Sequence, residues 1–153
     1  MVNAFGIGSQ SGNPAGVCIL EEWLSTDELQ NMASQLYFPE TAFIFPNKKD
    51  SWSIRWFTPK SEVDLCGHAT MAAAHVLFEE GLATQGAEIT FSSNSGKLQV
   101  SHDEKKRLSM DFPLLKARNS HVSPALVEGL GAYPDEVYVG TNCLCVFGEE
   151  ETV

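Results

Sequence analysis

The apolar positions of the chain change period several times, and each change marks an element. Residues 15–20, AGVCIL, form a continuous apolar run of strand length. Ser25 and Glu28 make a capping-box pattern, and the helix they open carries Leu29, Met32, Ala33 and Leu36 on one stripe. Tyr37-Phe38-Pro39 ends it, because proline steers its predecessor out of helical geometry. Residues 41–45, TAFIF, predict a strand. Residues 52–58 predict another, since Trp52, Ile54 and Trp56 alternate with Ser53 and Arg55. Beyond Gly67 the spacing is helical again. Ala69, Ala72, Ala73, Val76 and Leu77 make one face, Met71, Ala74 and Phe78 fill the others, and Gly81 suits the position just past the end. A helix apolar nearly all round is a buried helix. Its alanines give it a thin profile that a sheet can approach closely.

The period then returns to two. Residues 88–93, 97–102 and 107–112 predict an antiparallel meander, with turns at Asn94-Ser95-Gly96 and Asp103-Glu104-Lys105-Lys106. Residues 113–122 make a polar connection, Ser123-Pro124 opens a short helix that Gly131 stops, and residues 136–147 begin a further strand region. The flanking strands and the buried helix together predict an α/β (α+β) fold, a curved, mostly antiparallel sheet or barrel wrapped around a central helix.

Composition narrows the class. The chain has 153 residues, 43% hydrophobic and 20% charged, which fits one ordinary globular domain. No apolar run approaches the ~20 residues of a membrane-spanning helix, and the first residues lack the basic and apolar regions of a secretory signal. The expectation is therefore a cytoplasmic protein with no membrane partner. A net charge of −10 with dispersed basic residues argues against nucleic acid as a partner. Cys18, Cys66, Cys143 and Cys145 include no CxxC pair, so the pattern predicts buried free thiols rather than a metal site. The Cys143-x-Cys145 spacing puts both side chains on one face of a strand.

Four places carry candidate chemistry. Gly12-Asn13-Pro14 is a loop able to offer backbone N–H groups, or an ordinary turn. Glu40 starts the strand after Pro39, either as a partly desolvated acid/base between Phe38 and Phe43 or as a solvated strand end. Gly67 and His68 open the buried helix, where free N–H groups and the positive dipole end suit a carboxylate or phosphate. His68 is either a proton carrier or a capping histidine. Cys66 precedes the same helix as a stabilised thiolate or a small apolar filler. His75, two turns further on, reads as a satisfied core histidine.

Together these segments are far more specific than each alone. GNPAGVCIL, then ETAFI, then IRWFTPKSEVDLCGHATMAAAHVLF stand in fixed order. The chain closely resembles the phenazine-biosynthesis PhzF-like isomerase family, which has the diaminopimelate-epimerase-like fold. The resemblance implies two similar halves with a cleft between them, with residues 1–117 as the N-terminal half and 118–153 as a linker helix and first strands of an incomplete second half. It implies proton movement on a small anionic, cyclic dienol-type acid, no cofactor or metal, and a homodimer. By position, Glu40 matches the catalytic glutamate and His68 the active-site histidine. Gly67, His68 and Ala69 match the helix start that receives the substrate carboxylate, and Asn13 lines the same cleft.

Two departures stand out. Family members commonly carry serine where this chain has Pro39, and no DPVTGSA-type string is present. The expectation is therefore a truncated chain that supplies one wall of the cleft and self-associates through strand edges around 136–147. Two alternatives remain open at this point: a thiol-based epimerase with Cys66 as base, and a non-catalytic fragment or binding protein.

Overall fold

The computed structural model describes residues 1–7, 11–103 and 107–153. The expected turn at 103–106 lies, beyond Asp103, outside the described residues. The chain divides into two compact units, Met1–Phe112 and Pro113–Val153.

The first unit contains β1 (Val2–Ala4), β2 (Asn13–Ile19), α1 (Thr26–Leu36), β3 (Glu40–Lys48), β4 (Ser51–Phe57), β5 (Glu62–Val63), α2 (Gly67–Glu79), β6 (Ile89–Ser93), β7 (Gly96–His102) and β8 (Leu108–Met110). Its sheet runs β1-β2-β3-β4-β6-β7-β8, with β5 paired beside β4. Two neighbours are parallel, β2 with β3 and β4 with β6, and the rest antiparallel. Each parallel step is bridged by a helix, as a parallel connection requires. The second helix touches β1, β2 and β3 and also β8, which stand at opposite ends of the strand order. The sheet is therefore curled around α2, as the apolar pattern predicts.

The core follows from the two faces of the central strands. Ala42 and Ile44 of β3 and Trp52, Ile54 and Trp56 of β4 face α2, joined by Ile89, Phe91, Leu98 and Val100. Ala69, Ala72, Ala73 and Ala74 of the helix are at most 1% exposed, so small side chains let the sheet close on it from several sides. Phe43 and Phe57 turn to the other face, where they meet edge to face with centroids 5.6 Å apart and pack on Leu29 and Ala33 of α1. Arg55 shares that outer face, where it holds Glu62 at 2.7 Å.

Local signals set the ends of α1. Ser25 accepts from the Glu28 amide at 3.3 Å, and Glu28 reaches back to the Ser25 amide at 2.9 Å. Both orphan amides are thereby satisfied, and Tyr37 closes the helix in a left-handed conformation. Ser25→Ala is expected to lower unfolding free energy by about 1 kcal/mol in urea denaturation. An unchanged midpoint would show that tertiary packing alone holds this helix.

The structure corrects several readings. Asn13 and Pro14 are not in a turn but open β2, paired with Ala4 and Asn3. The pattern also missed β1 and β5, which have three and two residues and too few positions to show a period. His75 is exposed rather than buried. It lines a cavity of about 490 Å³ with Met71, Arg107, Leu108 and residues of β1, at the seam between the two ends of the sheet.

The second unit contains β9 (Arg118–Ser120), α3 (Pro124–Leu130), β10 (Glu136–Val139), β11 (Cys143–Val146) and a 3-10 turn at Glu150–Thr152. Ser123 caps α3 and Gly131 ends it in the left-handed region, as the sequence predicts. The three strands form an antiparallel sheet in the order β11-β10-β9. The expected strand region at 136–147 is thus a hairpin, and the polar connection contains a strand of its own.

Candidate functional site

Topology brings the candidate residues together. β2 and β3 run parallel, with Ala15 opposite Glu40. β4 runs back antiparallel and ends at Phe57, opposite Thr41. The chain passes through β5 and starts α2 at Gly67, so the first turn of that helix lies at the edge where β3 begins. Gly16 makes room for this arrangement. A Cβ there would lie 2.9 Å from both Phe38 Cδ2 and Thr41 Oγ1.

At that edge Glu40 Oε2 lies 3.2 Å from His68 Nε2, with the two side chains 25% and 12% exposed. The spacing is that of an ion pair, but its alignment is not that of a hydrogen bond, so Nε2 is buried without a hydrogen-bond partner. Such an atom costs roughly 1–3 kcal/mol, and it is held where a further ligand atom would satisfy it. On the other side of the ring, Cys66 Sγ is 3.4 Å from His68 Nδ1.

The first turn of α2 is electrostatically open. Cys66 occupies its cap position without a side-chain capping bond, and no acidic residue lies in the first turn. The amides of Gly67, His68 and Ala69 precede the first intrahelical bond, Thr70 N–H to Cys66 O at 3.2 Å. Gly67 also has a packing reason. A Cβ there would come within 2.4 Å of Phe112 Cζ, so the ring lies directly against the helix start.

A buried relay fixes this turn. Trp56 Nε1 donates to Thr70 Oγ1 at 3.1 Å, and the Thr70 hydroxyl donates to Cys66 O at 2.7 Å. The sequence reading missed Thr70, Trp56 and Phe112 as supports of the site. Thr70, a lone hydroxyl in an alanine-rich buried helix, was the available signal for the first pair. Phe112 is distant in sequence and gave none.

Burial pushes the Cys66 thiol up to about 11, the Ala69 amide opposes part of that rise, and the charge of Glu40 adds to it. The thiol is therefore neutral near pH 7 and a poor nucleophile there. At neutral pH, iodoacetamide should modify the exposed Cys143 well before Cys66. Labelling of Cys66 should accelerate as pH rises toward 11. Mass-spectrometric mapping that finds Cys66 modified first at neutral pH would contradict this environment.

Of the sequence candidates, Glu40, Gly67, His68 and Ala69 converge on one helix start, with Cys66 beside them. Asn13 stands two residues before Ala15 on the same face of β2, exposed at the same edge, without a hydrogen bond to the pair. The 490 Å³ seam cavity contains none of these residues. A carboxylate and an imidazole converging on helix-start amides outweigh volume as the mark of a site, so we place the candidate site at the helix start. Among the described residues, no helix is long and apolar enough to cross a membrane.

Comparison with known proteins places the chain. Residues 2–130 match the family model described as phenazine biosynthesis-like protein, PhzC-PhzF. A protein named as an uncharacterized isomerase from Halalkalibacterium halodurans is 42% identical over 143 residues, covering 93% of this chain and 52% of that protein. A second, from Pseudomonas aeruginosa, is 42% identical over 150 residues, covering 98% and 56%. The crystal structure of a PhzF family protein from Enterococcus faecalis superposes with a TM-score of 0.87 at 38% identity, covering 99% of this chain and 57% of that one. A predicted epimerase from Pseudomonas aeruginosa shares the fold alone, with a TM-score of 0.69 at 18% identity. The chain spans about half the length of the curated relatives it matches. It belongs to the phenazine biosynthesis-like PhzC-PhzF family.

Proposed function

We propose that the chain carries the proton-moving wall of an isomerase or epimerase active site that acts on a small carboxylic acid without a cofactor. The observation that carries this reading is the Glu40–His68 pair, 3.2 Å apart at the open N-terminus of a buried helix. Relatives named as isomerases support the reaction class. The substrate carboxylate is received at the helix start by the amides of Gly67, His68 and Ala69, the last of which turns from the Cys66 sulfur, and their partial positive charge compensates it. Held there, the substrate presents a C–H to Glu40, which takes the proton and returns it to a neighbouring carbon. His68 holds the substrate through Nε2 or relays the proton. Asn13 lines the same edge. Homodimeric assembly and a cytoplasmic location belong to the same proposal.

The placement of substrate is testable without turnover. Small cyclic unsaturated carboxylic acids titrated into the isotope-labelled chain should shift the Gly67, His68 and Ala69 amides saturably. Shifts confined to the seam cavity around His75 and Arg107 would contradict it. The corresponding amides without a carboxylate should leave all three unmoved.

A further inference from the structure

We infer that Glu40, Cys66 and His68 form a binding site for a single divalent ion of the zinc class, and that occupancy shuts the proposed proton-moving site. One ligand atom from each residue lies within 4.8 Å of the other two. A carboxylate oxygen, an imidazole nitrogen and a sulfur are the donors that zinc takes, with bonds of ~2.0–2.3 Å. Tetrahedral bonds of that length hold their donors ~3.3–3.8 Å apart. The carboxylate–imidazole separation of 3.2 Å and the thiol–imidazole separation of 3.4 Å already approach this spacing. The two partners approach different ring nitrogens, so binding one ion requires the imidazole or the thiol to rotate.

A second observation points the same way. His68 Nε2 is buried beside Glu40 with no hydrogen-bond partner, and an ion between them would satisfy it. The three ligands come from a strand start, a loop and a helix start that the Trp56–Thr70–Cys66 relay holds in place. On binding, the thiol proton is released to solvent and the sulfur binds as thiolate. The carboxylate and thiolate then balance the ion's two charges and outweigh the helix dipole, which opposes a cation. Water fills the fourth position. Inhibition rests on the reading of Glu40 and His68 given above, because an ion on both removes them from proton transfer. Binding itself does not rest on it.

Cobalt(II) titrated into the chain carrying Cys143→Ser and Cys145→Ser tests this directly. Those changes remove the other close pair of thiols, whose sulfurs lie 3.9 Å apart. The expected result is a thiolate-to-cobalt charge-transfer band that saturates at one ion per chain and is displaced by zinc. Cys66→Ala should abolish the band, and Glu40→Gln should weaken affinity by about tenfold or more, with an unchanged circular dichroism spectrum. No band up to millimolar cobalt, or a band that survives Cys66→Ala, overturns the site. A saturating band with turnover indifferent to zinc sustains the site and overturns the proton-moving reading of Glu40 and His68.

Discussion

Glu40→Gln is expected to slow substrate C–H exchange with solvent by ~10²–10⁴, the usual worth of a positioned acid/base. The amide keeps the size of the carboxylate and removes the proton acceptor. Substrate binding should change far less, because the carboxylate of the substrate is assigned to the amides of α2 rather than to Glu40. The loss should therefore appear in kcat with KM nearly constant. Exchange in deuterated buffer followed by NMR gives the rate. A variant that exchanges as fast as the parent would remove Glu40 from the chemistry, and a rise in KM alone would make it a binding residue. Pro39 precedes Glu40 and cannot donate a backbone hydrogen bond there. Whatever orients the carboxylate must come from elsewhere, and His68 at 3.2 Å is the neighbour in place.

Trp56→Ala should be the most damaging single change to stability, at about 3–5 kcal/mol. Trp56 is 1% exposed and the largest of the fully buried side chains. Its removal opens a void between β4 and α2, and it also takes away the donor to Thr70. Thr70 in turn ties down the Cys66 carbonyl at the helix start, so the loss reaches the site as well as the core. Trp56→Phe separates the two effects. It keeps most of the volume and should cost about 1 kcal/mol for the hydrogen bond. Urea unfolding of the three proteins reads both terms. A loss below about 1 kcal/mol for the alanine variant would show that the α2 side of the sheet is not close-packed.

The legible parts of this fold were those with a period. α1 has a capping box and a stripe, and β4 alternates over its first six residues. The helix α2 is apolar all round, which correctly implied that a sheet surrounds it. His75 shows where that inference went too far. Among the described residues the two ends of the curled sheet are not paired, and His75 faces the seam between them. No local pattern reports whether a sheet closes. The site divided in the same way. Gly67 and His68 are readable from the helix start they occupy, whereas Glu40 in PETAF carries only a weak local mark, its place between Phe38 and Phe43, and the run of segments in order gave it weight. That the edges of β2 and β3 meet α2 at one end follows from two parallel pairings, β2 with β3 and β4 with β6. Parallel pairing is a long-range property, and the alternation of residues does not encode it.

Either the carboxylate–imidazole pair or the thiol at the helix start moves the proton. Deuterium exchange into a small cyclic acid that the protein turns over, compared across Glu40→Gln, His68→Gln, the double variant and Cys66→Ala, decides it. The double variant is expected to be little slower than Glu40→Gln, because the two side chains act as one unit, and Glu40→Gln is expected to be the slowest single variant. Cys66→Ala is expected to lose less than about tenfold, the scale of one contact to His68. Full exchange in Glu40→Gln together with its loss in Cys66→Ala would remove the carboxylate–imidazole pair from the chemistry and assign it to the thiol.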